Sequence, residues 1–274
     1  MVQINVRPAL DTTAAVEDYT SSLRSAGHHI APVIWRGEAA WLKLAVPQPP
    51  AWRYKLLGAM AKTLAHPAMQ PVRPQGGTLG LKTEADRVRA LTQAGLRAPA
   101  ILETGEAWLL LSDLGQATLD TLIRRASANE RMRWWRQGAD YILNAHRAGQ
   151  YLSQAFARNF VWSDTAGVGA IDFEDDAGTV MSLTHAQVRD WLPYCFSTAI
   201  HFTDDLPGLQ ATMAEYAAAE SDAVRAGLRI AWRRTSWLRA ARFLPARMQR
   251  TDVRKIRLYG ELAKGLGAMV TMPH

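Results

Sequence analysis

Residues 146–173 read HRAGQYLSQAFARNFVWSDTAGVGAIDF, and this stretch decides how the rest of the chain is interpreted. A helical pattern ends at Gly149, a loop containing Asn159 follows, and the apolar runs FVW and GAIDF predict two short strands around a turn at 164–169. Asp172 lies at the end of the second run. An acid at the end of an apolar strand is costly to place unless it is paired or bound to a metal. We therefore predict that Asp172 is part of a functional site.

Two further charged residues lie upstream. The runs HIAPVIW and AAWLKLAV, separated by Arg36-Gly37-Glu38, predict a β-hairpin, and Lys43 lies in its second strand. Glu84 lies early in TEADRVRALTQAG, which predicts a helix closed by Gly95. Taken singly, Lys43 is an ordinary solvated strand residue, and Glu84 is what a helix N-terminus favours. Lys43, Glu84, Asn159 and Asp172 are candidate site residues because of the order in which these four residue types occur along the chain.

The chain predicts an α+β protein with two parts. Residues 1–115 contain a predicted N-terminal helix, two hairpins and the glutamate-bearing helix, and residues 116–274 are mostly helical. A basic, amphipathic stretch, WRYKLLGAMAKTLA at 52–65, interrupts the first part, and a loop punctuated by proline and glycine continues through Gly76-Gly77.

Composition excludes several classes of protein. A single cysteine, Cys195, excludes an intramolecular disulfide framework and a cysteine-rich zinc module. No apolar stretch is long enough to span a bilayer, and no signal peptide is apparent, so we expect a cytoplasmic protein. The net charge of +7 is unevenly placed: from Arg225 onward there are 12 basic and two acidic residues, whereas the preceding chain has 20 basic and 23 acidic residues.

The ordered set resembles the protein-kinase-like superfamily from about Ile34 to Trp191. That resemblance implies a small strand-rich N-lobe, a larger helical C-lobe and an active-site cleft between them. It also implies that Lys43 holds the phosphates of ATP and pairs with Glu84, while Asn159 and Asp172 hold Mg²⁺. The residue types fit these roles, because a polyphosphate needs a cation and Mg²⁺ prefers hard oxygen ligands.

Within that superfamily the chain looks most like the small bacterial kinases of lipopolysaccharide core sugars, which act on 3-deoxy-octulosonic acid or heptose. The shared features are an Ala/Trp-rich hairpin leading to the strand lysine, a basic aromatic insertion before the glutamate helix, a His-x-x-Gly-x-Tyr run at 146–151 and an Ile-Asp-Phe motif. The run AGLRAPAILETG is similarly typical of small-molecule kinases.

The catalytic loop departs from the family pattern. Gln154 stands where the family has its catalytic aspartate, and glutamine cannot accept a proton. No glycine-rich turn precedes Lys43. The glycine cluster Gly76-Gly77-x-x-Gly80 lies after the lysine in sequence, where the family does not have it. The usual Asp-Phe-Gly ends in Glu174, and Asp175 and Asp176 follow it, either as an alternative base or second metal ligand, or as a solvated loop.

Neighbouring residues receive structural interpretations. His146, near a helix C-terminus, is expected to pack or cap rather than to exchange protons. Asp190 either braces the catalytic loop from the following helix or is exposed.

These observations leave three functional hypotheses. The first is a phosphotransferase that moves the γ-phosphate of ATP to a sugar or lipid-linked hydroxyl, with Gln154 and Asp172 in the catalytic positions. The second is a pseudokinase that serves as a nucleotide-binding regulator or scaffold. The third is a basic membrane or nucleic-acid binding protein without nucleotide chemistry.

The basic segments point to a partner rather than to chemistry. Basic residues interleave with aromatic and aliphatic ones in 225–264 and 52–65, which suits an anionic membrane surface. We therefore expect a peripheral location on the inner membrane face. The alternative is that the apolar residues form the core side of ordinary helices and the arginines their solvent side. Nucleic acid is the least favoured partner because no recognition module accompanies the charge.

Overall fold

The N-terminal part is built on a five-stranded sheet with two helices packed against it. The computed structural model describes residues 7–48, 66–243 and 251–269. The strands follow the order β1-β2-β3-β5-β4, in which β1 and β2 are parallel and the remaining pairs antiparallel. Its elements are β1 (Ala9–Leu10), α1 (Thr13–Ser25), β2 (Ile30–Trp35), β3 (Glu38–Leu44), α2 (Gly77–Gln93), β4 (Ile101–Thr104) and β5 (Trp108–Ser112).

The first hairpin forms where the sequence predicts it. Arg36 and Gly37 both adopt positive φ, 48° and 87°, as the two central residues of a tight hairpin turn require. Alternate residues of a strand point to opposite faces, and Leu42 and Leu44 are buried in the core beneath α1. Lys43 therefore projects from the other face of the sheet, away from that core.

The glutamate helix differs from its prediction in length. It begins at Gly77, six residues before the predicted start, and Glu84 lies two turns inside it rather than near its N-terminus. The extra turns form because Leu81 packs with Ala85 beneath β5. Glu84 therefore gains nothing from the helix N-terminus, and its partner has to be sought across the fold.

The second part is mainly helical. A three-stranded antiparallel sheet, in the order β6-β7-β8, lies among its helices. The elements are β6 (Ala117–Thr118), α3 (Leu119–Arg125), α4 (Ala128–Arg147), β7 (Phe160–Ser163), β8 (Gly167–Ala170), α5 (Leu183–Thr198), α6 (Leu206–Ala218), α7 (Asp222–Thr235) and α8 (Thr251–Met269).

The strand predicted over GAIDF is shorter than expected. β8 ends at Ala170 because Asp172 adopts a left-handed φ of 71°, which a continuing strand excludes. Asp172 therefore lies in the irregular segment that follows the strand rather than at the strand's end.

The two largest of the four hydrophobic clusters among the described residues form the cores of the α+β fold. One lies between α1 and the five-stranded sheet, and the larger one occupies the helical part. Val88 and Leu91 of α2 belong to the larger core, so the glutamate helix packs against both parts. Within the described ranges no helix is long and apolar enough to cross a membrane. The predicted amphipathic stretch at 52–65 lies outside the described residues.

Candidate active site

A cleft of about 680 Å³ separates the five-stranded sheet from the helical part. Its lining includes Lys43 and Glu84 from the N-terminal part, and Asn159, Asp172 and Glu174 from the segments around β7 and β8. Small-molecule sites in proteins occupy roughly 300–1,000 Å³. The cleft is therefore large enough for a nucleotide-sized ligand.

The candidate lysine bridges two carboxylates across this cleft. Lys43 Nζ lies 2.7 Å from Glu84 Oε1 and 3.3 Å from Asp172 Oδ1. Burial disfavours the charged amine, but the two carboxylates outweigh burial and raise the pKa of Lys43. The lysine is therefore a fixed cation at neutral pH.

Glu84 depends on that lysine. Its side chain is only 2% exposed, whereas the side chain of Asp172 is 32% exposed. A buried carboxylate without a cationic partner is strongly unfavourable. Glu84 thus holds the Lys43 side chain in place from its buried position, while the more exposed Asp172 faces the cleft.

The backbone places Asn159 beside the aspartate segment. The amide of Ile171 donates to the carbonyl of Asn159 at 2.9 Å, extending the β7–β8 pairing by one bond. The side-chain Nδ2 of Asn159 donates to the carbonyl of Gln154 at 2.9 Å. This hydrogen bond uses the side-chain nitrogen of Asn159, so the side-chain oxygen Oδ1 remains as an acceptor or metal ligand.

The donor set fits magnesium by its chemistry. Asn159 Oδ1 and the carboxylate of Asp172 are hard oxygen donors that line one cleft. Mg²⁺ commonly takes one or two protein oxygens and completes its shell with water and substrate phosphates. Among the described residues there is no cluster of three or more His, Cys, Asp or Glu side chains that could hold a metal ion by itself.

The loop before Asn159 is held by Asp190. Its carboxylate is fully buried and accepts from the amides of Leu152 at 2.7 Å and Ser153 at 2.8 Å. His146 lies between Asp190 and Glu220, with ring nitrogen to oxygen distances of 3.3 Å and 2.5 Å. Asp190 therefore braces this loop from α5 and is not exposed.

Burial opposes the charged form of His146, but hydrogen bonds from the imidazole to Asp190 and Glu220 outweigh it and raise its pKa to about 9. The histidine is therefore an internal cation that keeps two buried carboxylates compatible with the fold. Its role is structural, as its place near a helix C-terminus predicts.

Gln154 contributes its backbone rather than its side chain. Its carbonyl accepts from the amide of Phe156 at 2.7 Å as well as from Asn159 Nδ2. The side chain is half-buried, and Gln154 is not among the described residues that line the cleft. The backbone carbonyl of Gln154 orients the side chain of Asn159, and the side-chain amide of Gln154 cannot act as a base.

The three acids after Phe173 are in three different environments. Glu174 lines the cleft, and burial and the charge of Asp172 raise its pKa. Asp175 is buried with no hydrogen-bond partner at Oδ1, and burial, then the charge of Glu174, raises its pKa to about 7. Asp176 caps the turn at 177–179 and accepts from the hydroxyl of Tyr151. Asp175 and Asp176 are therefore not a solvated acidic run.

One feature of the cleft was not predicted. Gly76, Gly77 and Gly80 follow Lys43 in sequence, yet all three line the same cleft. A Cβ at Gly76 would lie 2.1 Å from the backbone nitrogen of Gln48, and Gly77 adopts a φ of 64°. The Gly-Gly pair before a helical pattern was the available signal, but only the fold brings the start of α2 back to the lysine.

No family model matches the chain, and no curated protein matches it.

Proposed function

We propose that this protein is a kinase-like phosphotransferase that moves the γ-phosphate of ATP to a sugar or lipid-linked hydroxyl. The observation that carries the proposal is the pairing of Lys43 with buried Glu84 in a cleft that Asn159 and Asp172 also line. These four residues are those that the resemblance to the protein-kinase-like superfamily assigns to nucleotide and magnesium binding.

The charges of the cleft suit an ATP–magnesium complex. Lys43 is a fixed cation that would bind phosphate oxygens, and Asn159 and Asp172 would hold Mg²⁺, which neutralises charge on those oxygens when bound. Apolar side chains of Ile30 and Val161 line the same cleft and would contact the planar base. The residues thus supply a polar end and an apolar end to one ligand.

The transfer itself needs little from a base. The acceptor hydroxyl oxygen bonds to the γ-phosphorus, the bond from phosphorus to the bridging oxygen breaks, and ADP leaves with the bond's electrons. Because the transition state is loose, positioning and charge neutralisation supply most of the acceleration. The proton of the hydroxyl is lost to water or to a carboxylate, since Gln154 cannot take it.

A second candidate is a nucleotide-binding pseudokinase. Gln154 favours it, because the amide side chain replaces the family's base and lies outside the cleft lining. Both candidates require nucleotide binding, and only the first requires turnover.

Thermal shift with Mg-ATP tests nucleotide binding in both candidates. We expect millimolar Mg-ATP to raise the melting temperature and Asp172→Ala to abolish that rise, because a ligand stabilises only the state that binds it. Asp18→Ala, an exposed position on α1, is the matched control and should keep the rise. No shift in the wild-type protein would contradict both candidates.

Turnover then separates the two. The phosphotransferase predicts that ADP release increases with a 3-deoxy-octulosonic acid or heptose acceptor and that the product carries phosphate. A normal Mg-ATP shift with no phosphorylated product across a panel of sugar acceptors would favour the pseudokinase.

A further inference from the structure

An exposed apolar edge runs along the end of α7 and the 3₁₀ helix that follows it, Ser236–Phe243. Ile230 is 46% exposed, Trp237 58% and Phe243 76%. Among the described residues, Trp237 and Phe243 are the two aromatic side chains in the set of large exposed hydrophobic groups. Exposed aromatic side chains that lie close together mark interaction surfaces more often than isolated ones do.

Helix geometry aligns these side chains. Ile230 lies on α7 and Trp237 lies seven residues later on the 3₁₀ helix, which places the two side chains on nearly the same side. In a 3₁₀ helix residues three apart are eclipsed, so Trp237, Ala240 and Phe243 share one face, and all three are exposed. Ile230, Trp237, Ala240 and Phe243 therefore lie along one side over about four turns, with Arg233 and Arg234 between Ile230 and Trp237.

Arginines flank this edge. Arg233 and Arg234 are exposed on the last turn of α7, between Ile230 and Trp237. Arg242 is exposed beside Phe243, with its guanidinium 4.7 Å from the ring centroid and its Nη1 3.8 Å from Glu261 Oε1. We call the set Ile230, Arg233, Arg234, Trp237, Ala240, Arg242 and Phe243 the aromatic-arginine edge.

We infer that the aromatic-arginine edge docks the protein on the surface of an anionic lipid bilayer. Tryptophan and phenylalanine insert at the boundary of headgroups and acyl chains, and arginines bind the anionic headgroups above them. Charge complementarity decides the occupant, because residues 225–243, which include the edge, contain six basic and no acidic residues. The inference concerns a surface apart from the cleft and does not rest on nucleotide chemistry.

The two internal segments of the chain outside the described residues are poor occupants of the edge. Residues 49–65 contain three basic and no acidic residues, and residues 244–250 contain two basic and none acidic. Like charge would oppose their packing against the arginines. Nucleic acid fits less well than lipid because Ile230 and Ala240 gain nothing from a phosphate backbone, whereas a bilayer buries them with the aromatic rings.

Vesicle sedimentation tests the inference with the full chain and without nucleotide. We expect the protein to sediment with vesicles of phosphatidylcholine containing about a third phosphatidylglycerol at about 0.1 M salt, less at about 0.5 M salt, and not with pure phosphatidylcholine. Trp237→Ala combined with Phe243→Ala should lower the affinity for the anionic vesicles about tenfold, because two interfacial rings are lost.

Matched variants separate docking from folding. Val180→Ala combined with Leu183→Ala removes apolar groups that are 48% and 45% exposed elsewhere, and should leave vesicle binding unchanged. Arg125→Glu on α3 is the charge control for Arg233→Glu, which should weaken binding several-fold more. Trp237→Phe should retain binding, and all variants should keep the wild-type melting temperature.

Three results would overturn the inference. One is the absence of sedimentation with anionic vesicles at low salt. The second is equal vesicle binding by the double alanine variant and its matched control. The third is saturable binding to single-stranded RNA that depends on Trp237 and Phe243 while vesicles do not sediment the protein, which would assign the edge to nucleic acid.

Discussion

The cleft and the C-terminal basic region place their charges in opposite ways. Lys43 in the cleft is paired with buried Glu84, and His146 is buried between Asp190, which braces the loop before Asn159, and Glu220. On the aromatic-arginine edge, Arg233 and Arg234 are exposed beside exposed apolar groups. Buried pairs fix geometry at a high desolvation cost, whereas exposed charges cost little and act on partners. The difference teaches that the excess of basic residues lies in a region other than the candidate active site, so the net charge of this protein does not indicate where that site is.

The largest effect is expected at Asp190. Asp190→Ala removes the acceptor for two backbone amides and one partner of His146, and should destabilise the fold by about 3–5 kcal/mol. Urea unfolding would measure the loss. Asp190→Asn keeps one carbonyl acceptor and should lose less, and Asp18→Ala should change stability little. An alanine variant as stable as the wild type would show that the loop does not depend on this brace.

The next effect is expected at the cleft pair. Lys43→Met leaves the carboxylate of Glu84 buried without its cation and should destabilise the fold by about 3 kcal/mol. Adding Glu84→Gln to Lys43→Met removes the unpaired charge and should recover part of that loss. Denaturant unfolding of the two single variants and the double variant forms the cycle. If the losses in free energy of unfolding of the two single variants sum to that of the double variant, the two side chains do not interact directly.

A smaller effect is expected from pH. The pKa of His146 is about 9 in the fold, above the ordinary value of 6.5. Its contribution to stability is therefore fully present below about pH 6.5 and is lost as pH rises through about 9. Unfolding measured from pH 6.5 to 9.5 should show falling stability in the wild type and a flatter profile in His146→Gln. Superimposable slopes would contradict a charged histidine between the two carboxylates.

The smallest effect is expected on the aromatic-arginine edge in the absence of lipid. Because Trp237 and Phe243 are mostly exposed, replacing both with alanine should change the free energy of unfolding by no more than about 0.5 kcal/mol. Thermal and urea unfolding would measure this. A large destabilisation would show that these rings support the fold, and the contrast with the cleft would fail.

Local patterns predicted most of the elements. The hairpin that presents Lys43 forms because Arg36 and Gly37 support a tight turn, and the alternation of apolar residues chooses the buried face. The end of the predicted strand at GAIDF was wrong because a left-handed φ at Asp172 is not visible in apolar periodicity. The early start of α2 was missed because Leu81 packs against a distant strand.

The candidate site was predictable as residue types but not as an arrangement. The order of Lys43, Glu84, Asn159 and Asp172 named the groups that line the cleft. The brace from Asp190 and the burial of Asp175 depend on helices and turns remote in sequence. Local pattern left bracing and exposure open for Asp190 and did not predict the burial of Asp175, because burial and hydrogen bonding are set by the whole fold.

The sequence by itself determined the α+β character, the candidate cleft residues and the concentration of basic charge after Arg225, because periodicity, residue chemistry and charge counts are properties of the chain. Only the tertiary structure decided that Lys43 lies 2.7 Å from Glu84, that the glycines before Glu84 return to the lysine, and that Trp237 and Phe243 remain exposed. These facts depend on which distant residues meet, and the free energy of burial over the whole molecule sets that choice.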